Sequence, residues 1–153
     1  MFERFDEFFE QVFQVFEDPH SWALFPETHA VLTTLREAGF ELGIVSNFDS
    51  RLFPVMRGLG IDRLFDTVTI ASLARAAKPA PKIFEIALEK HAMDPTEAIH
   101  VGDSVRDDLE GATKAGLTGI LLDRAGHSQT SGGYVIRTLE ELLPLVKTVK
   151  RER

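Results

Sequence analysis

The sequence predicts an α/β fold, a doubly wound parallel sheet covered by helices on both faces. Three observations carry this. From Pro26 onward, short apolar runs alternate with amphipathic stretches of helical length. Two of those runs end in small polar or acidic residues, Ser46-Asn47 and Gly102-Asp103, the position where sheets of this kind bind ligands. The chain has 153 residues and 44% hydrophobic content, enough for one domain with a sizeable core.

The first segment, Met1 to Glu17, predicts an amphipathic helix. Phe2, Phe5, Phe9, Val12, Phe13 and Phe16 recur at three- and four-residue steps, and Phe8 widens the stripe. Such a face packs on this chain's own core, or else on a further segment or a second subunit. Residues 1–25 therefore read as this helix and a linker, and residues 26–153 as the core domain.

Thr28 to Ala38 reads as a helix with Ala30, Val31, Leu35 and Ala38 on one side, stopped by Gly39. Phe40 to Val45 is a buried strand that ends in Ser46-Asn47. Ser50 to Leu59 is helical, and Thr67 to Ile70 is a second strand. Pro81 to His91 is a helix turning Ile83, Phe84, Ala87 and Leu88 inward. Ala98 to Val101 is the third strand, followed by Gly102-Asp103 and a helix from Asp107 to Ala115 that stops at Gly116. Thr118 to Leu122 is a fourth strand and Tyr134 to Ile136 a fifth, and Leu139 to Val149 closes as a helix. Right-handed crossovers between such strands give a three-layer sandwich.

Composition excludes several classes of function. A net charge of −7 argues against nucleic-acid and membrane-surface partners, which favour basic patches. The absence of cysteine excludes disulfides and thiolate chemistry. There is no long apolar run for a membrane span and no signal-peptide pattern at the N-terminus, so a cytoplasmic location is expected.

The residues after each strand carry the chemistry. Ser46 offers a hydroxyl to a phosphate oxygen, with Asn47 beside it. Lys78, just ahead of Pro79 and Pro81, offers a compact positive charge to that phosphate and to a neighbouring carboxylate. Asp103 is a hard oxygen ligand of the kind Mg²⁺ takes. Asp108, a turn later, suits the orientation of Lys78 or of a metal-bound water. Each residue alone has an ordinary structural reading as a cap, a turn or a solvated charge; their order and spacing together do not.

The set Val45-Ser46-Asn47, Lys78-Pro79 before Lys82-Ile83-Phe84, and Val101-Gly102-Asp103-Ser104 through Asp108 and Gly111-Ala112 to Ala115-Gly116 resembles the haloacid dehalogenase superfamily, in its capped, phosphatase-type subgroup. The likeness runs from about Pro26 to about Leu122. It implies a Rossmann-like core and Mg²⁺-dependent hydrolysis of a small phosphate monoester through an aspartyl-phosphate. It assigns Ser46, Asn47 and Lys78 to substrate binding, Lys78 and Asp108 to catalysis, and Asp103 to the metal. Ala80 stands where relatives carry an aspartate.

The family's first motif, an aspartate pair after an apolar strand near the N-terminus, has no counterpart here. Asp6 lies in the Phe-striped segment, Asp49 follows the Ser-Asn pair, and Asp62 and Asp66 follow Gly60. The resemblance thus implies that the usual central first strand and its nucleophile are missing from these 153 residues, with the Phe-rich segment as a remnant of the helical cap. Two consequences are expected. Catalysis by this chain alone is absent or severely impaired. The strands ending at Ser46 and Gly102 lose their shared neighbour and either pair directly or accept a strand from a second chain, so a homodimer or higher oligomer is expected, through strand exchange or the Phe-rich helix. Two other functions remain open: a non-catalytic partner-binding or regulatory module, and the dehalogenase or phosphonatase chemistry of other relatives.

Overall fold

A computed structural model of the chain describes residues 18–128, 130 and 132–151. The Phe-striped helix expected over Met1 to Glu17 lies outside the described residues, as do Gln129 and Ser131 in the loosest loop.

Helix α1 (Thr28–Glu37) leads into β1 (Gly43–Ser46), followed by α2 (Leu52–Gly58) and β2 (Thr67–Ile70). A four-residue helix α3 (Ala71–Ala74), not foreseen, precedes α4 (Pro81–His91). Then come β3 (Ile99–Gly102), a π-helical turn (Val105–Glu110), α5 (Gly111–Lys114), β4 (Thr118–Leu122), β5 (Tyr134–Ile136) and α6 (Leu142–Arg151). All strand pairing is parallel. The fold is therefore α/β, with parallel strands between helical layers.

The helix layers follow from strand alternation. Ile99 and Val101 of β3 pack with Val31 and Leu35 of α1, Ile120 and Ile136 of the neighbouring strands, and Leu142 and Val146 of α6. On the other face, the ring of His100 meets Phe84 of α4 edge-on. Phe84 and Ile83 form a second core with Ala112 of α5, and Val45 of β1 packs against it. On α1 the buried positions are Val31 and Leu35, whereas Ala30 and Ala38 are exposed. A methyl at the margin of a helical stripe does not reach the sheet.

Two expectations about strands need correction. The first strand begins at Gly43, not Phe40. The Asp66 carboxylate takes the Leu42 N–H at 2.8 Å, so a side chain occupies the place of a ladder partner. The second correction concerns the sheet. Direct pairing of β1 with β3 does not occur: β1 pairs with β2 in one sheet, and β3-β4-β5 form another. Among the described residues no strand joins the two.

Candidate active site

The site forms where β1 and β3 end, and its parts come from three segments. From β1, the Asn47 side chain grips the backbone of Lys78. Its Oδ1 accepts the Lys78 N–H at 2.7 Å, and its Nδ2 donates to the Lys78 carbonyl at 3.1 Å. This two-point contact fixes the Lys78 loop on β1 as a neighbouring strand would.

From that loop the Lys78 side chain crosses to the β3 half. Its Nζ lies 2.5 Å from Asp108 Oδ1. Asp108 is 3% exposed, so its charge needs full compensation. It receives that from three donors. Lys78 Nζ and His100 Nε2, the latter at 2.8 Å, share Oδ1. The Ser104 N–H donates to Oδ2 at 3.0 Å. Burial works against the charged carboxyl, but the hydrogen bonds from His100, Lys78 and Ser104 and the charge of Lys78 outweigh it and hold Asp108 well below the usual carboxylate range.

The turn after β3 builds this geometry. Ser104 caps it, its Oγ accepting the Asp107 N–H at 3.0 Å, and its carbonyl accepts the N–H groups of both Asp108 and Leu109. The helical turn therefore starts at Val105, before the expected Asp107. Gly102 is needed because a Cβ there would fall 2.1 Å from Asp108 Cγ.

The remaining candidates lie at the margin. Ser46 is half-buried, and its Oγ accepts the Phe48 N–H at 3.1 Å, which leaves its hydroxyl hydrogen able to donate. Asp103 directly follows β3 and is exposed. It lines an open cavity of about 630 Å³ with Glu110, Asp123 and His127. Ser46, Asn47 and Lys78 do not line that cavity. Asn47, Lys78 and Asp108 thus come together in one chain of contacts, with Asp103 outside it. His100 is a residue that the sequence shows only as one member of the third strand, and its contact with Asp108 eight positions on gives it a place in the site.

A magnesium ion needs hard oxygen ligands. Asp103 offers one, while Asp108 has both oxygens engaged. Among the described residues no group of three or more metal-capable side chains exists. The described residues therefore do not by themselves fit a metal centre.

This parallel α/β fold thus carries a hydroxyl, an amide, a lysine and an aspartate at or near its strand ends. The chain belongs to the haloacid dehalogenase-like hydrolase family, whose sequence model matches residues 2–116. It is 33% identical over 141 residues to haloacid dehalogenase-like hydrolase domain-containing protein 3 of Mus musculus, covering 88% of this chain and 56% of that protein. It is 36% identical over 101 residues to the glyceraldehyde 3-phosphate phosphatase of Methanopyrus kandleri, covering 65% of this chain and 43% of the relative. The crystal structure of a HAD phosphatase from Thermococcus onnurineus superimposes with a TM-score of 0.81 at 35% identity, over 84% of this chain and 60% of that one. The chain spans about half the length of these curated relatives. No helix among the described residues is long and apolar enough to cross a membrane.

Proposed function

We propose that these residues form the phosphate-facing half of a phosphomonoesterase site acting on a small phosphorylated metabolite. The observation that supports this reading is the clamp on Lys78. Asn47 holds its backbone from β1 and Asp108 holds its ammonium from the β3 side. A lysine fixed from both sides presents its charge at the shared strand ends, where a phosphate dianion would be held. Ser46 adds a hydroxyl donor. Asp108, with three donors on its carboxylate, acts by placing Lys78 and not as a proton carrier. Asp103 is the residue we assign toward Mg²⁺. A glyceraldehyde 3-phosphate phosphatase and a HAD phosphatase resemble this chain, but so do 2-haloacid dehalogenases, so the choice of phosphate over halide rests on the Lys78 clamp.

The aspartyl-phosphate route needs a nucleophilic aspartate. Of the described aspartates at the carboxyl ends of the strands, Asp49 pairs with Arg51, Asp108 with Lys78 and His100, and Asp123 accepts the N–H groups of Gly126, His127 and Ser128, while Asp103 stands outside the Lys78 contacts. We therefore expect these 153 residues to bind phosphate without appreciable turnover. Calorimetric titration with inorganic phosphate tests this. Binding is expected for the unaltered chain, with loss of phosphate affinity in Lys78→Ala. Phosphate affinity untouched by Lys78→Ala, or robust hydrolysis of p-nitrophenyl phosphate, overturns the reading. Chloride release from a 2-chloro acid would favour the dehalogenase chemistry instead.

A further inference from the structure

We infer that His100 is a positioning residue: by donating to Asp108 Oδ1 it holds that carboxylate in the orientation that places the Lys78 ammonium at the ends of β1 and β3. The second arm of the test below rests on the phosphate reading of Lys78; the first does not.

Three donors meet at Asp108, and they differ in how firmly each is anchored. Lys78 reaches it on a flexible four-carbon stem, which cannot by itself define where the carboxylate sits. The Ser104 N–H fixes only Oδ2. His100 is a planar donor whose backbone belongs to a strand. Its ring is held edge-on against Phe84, with centroids 5.0 Å apart and planes at 83°, and Phe84 is itself fully buried. His100 is therefore the rigid member of the set.

The direction of the bond follows from the chemistry. A carboxylate only accepts, so Nε2 at 2.8 Å must carry the hydrogen. With Oδ1 fixed by His100 and Oδ2 by Ser104, the carboxylate cannot rotate. Lys78 then meets an acceptor whose place is set by β3. Position passes from strand to imidazole to carboxylate to ammonium.

A space-filling role predicts a different result, and two substitutions separate the roles. His100→Gln keeps an N–H near the Nε2 position. His100→Leu keeps apolar bulk against Phe84 and removes the donor; His100→Met serves if the leucine variant does not fold. The first arm measures exchange with water of the Lys78 ammonium protons by ¹⁵N NMR on the full 153-residue chain, with Lys78→Arg identifying the signal. Exchange is expected to be about tenfold faster in His100→Leu, the loss of one charge-assisted hydrogen bond, and within about twofold of the unaltered chain in His100→Gln. The second arm measures inorganic phosphate affinity, expected to fall about tenfold in the leucine variant and to be restored by glutamine.

Lys78 exchange that is unchanged in His100→Leu overturns the inference, because the donor then holds nothing. Exchange equally fast in both variants also overturns it, because ring shape and not the hydrogen bond would matter. Glutamine rescue of Lys78 exchange in a chain that binds no phosphate supports the role of His100 while removing the phosphate reading.

Discussion

The β1-β2 pair and the β3-β4-β5 sheet differ in how many side-chain hydrogen bonds supplement their apolar packing. The three-stranded half rests on an apolar core. Residues 119–121 of β4 are buried, Ile120 completely, and Ile136, Val31, Leu35, Leu142 and Val146 close around them. The two-stranded half also buries apolar residues, Ile70 of β2 and Val55 and Met56 of α2, but it is further stapled by polar side chains. Arg36 of α1 donates to the Leu64 carbonyl and pairs with Asp66 at 3.0 Å, and Asp66 takes the Leu42 N–H. His91 of α4 bridges Thr67 of β2 and Glu41 ahead of β1, at 2.6 and 2.7 Å. Lys90 donates to the Val68 carbonyl and Thr69 Oγ1. The strands of each half that carry the site, β1 and β3, have no fully buried residue. The site therefore stands on two strands without a fully buried residue, and the Lys78 link joins halves that share no ladder. Apolar packing makes one half a platform; the other adds directional bonds to its apolar contacts.

The largest test of this division is at the joint. Phe84 is fully buried on α4, packed in the core that includes Val45 and against His100 of β3. Phe84→Ala is expected to cost about 3–5 kcal/mol, measured by urea unfolding. It should also broaden the resonances of β1 and β3 together. A loss confined to one half would mean that α4 does not join them.

Next in size is a contrast within the apolar term. Ile120→Ala, at a residue 0% exposed, is expected to cost about 2–5 kcal/mol. Val45→Ala, at a half-buried position of β1, should cost about 1 kcal/mol, since less area leaves water. Equal losses would remove the distinction between the halves.

These differences also explain what the sequence disclosed. Val31, Leu35, Ile83, Phe84 and Leu88 were legible because large apolar residues at helical spacing have one place to go. Strand β4 was legible as an uninterrupted apolar run. The start of β1 was not, because whether Leu42 joins the ladder depends on Asp66, a residue 24 positions away. The Lys78–Asp108 contact was anticipated from the charges, while His100 was hidden because its role depends on a partner eight positions on, across a turn. Short-range periodicity is written locally; side-chain bonds between distant segments are not.

A smaller effect concerns the polar staples. Asp66→Asn weakens the pair with Arg36 and the bond to Leu42, at a side chain 36% exposed. The expected cost is about 1 kcal/mol, since exposed ion pairs contribute little and one backbone N–H loses its charged acceptor. A double-mutant cycle with Arg36→Ala should show coupling of about 0.5 kcal/mol or more. Additive losses would mean that Arg36 acts through the Leu64 carbonyl alone.

The smallest expected effect separates the halves by pH. The Leu42 N–H and Arg36 hold the Asp66 carboxyl below its ordinary range, against the opposing effect of burial. A carboxyl whose pKa is lower folded than unfolded stabilises the fold above the unfolded value, about 4. That stabilisation is lost as pH falls from there through the lower folded value. The apolar contacts of Ile120 and Ile136 have no such dependence. Acidification from pH 6 to about 3 should therefore speed amide exchange in β1 and β2 before β4, after correction for the intrinsic pH dependence of exchange. The local change is expected to stay below about 1 kcal/mol because Asp66 is partly solvated. In Asp66→Asn the lead of β1 over β4 should shrink, since the titrating group is gone. If β4 loosens first, or if the lead persists unchanged in the asparagine variant, the polar staple is not what registers the two-stranded half.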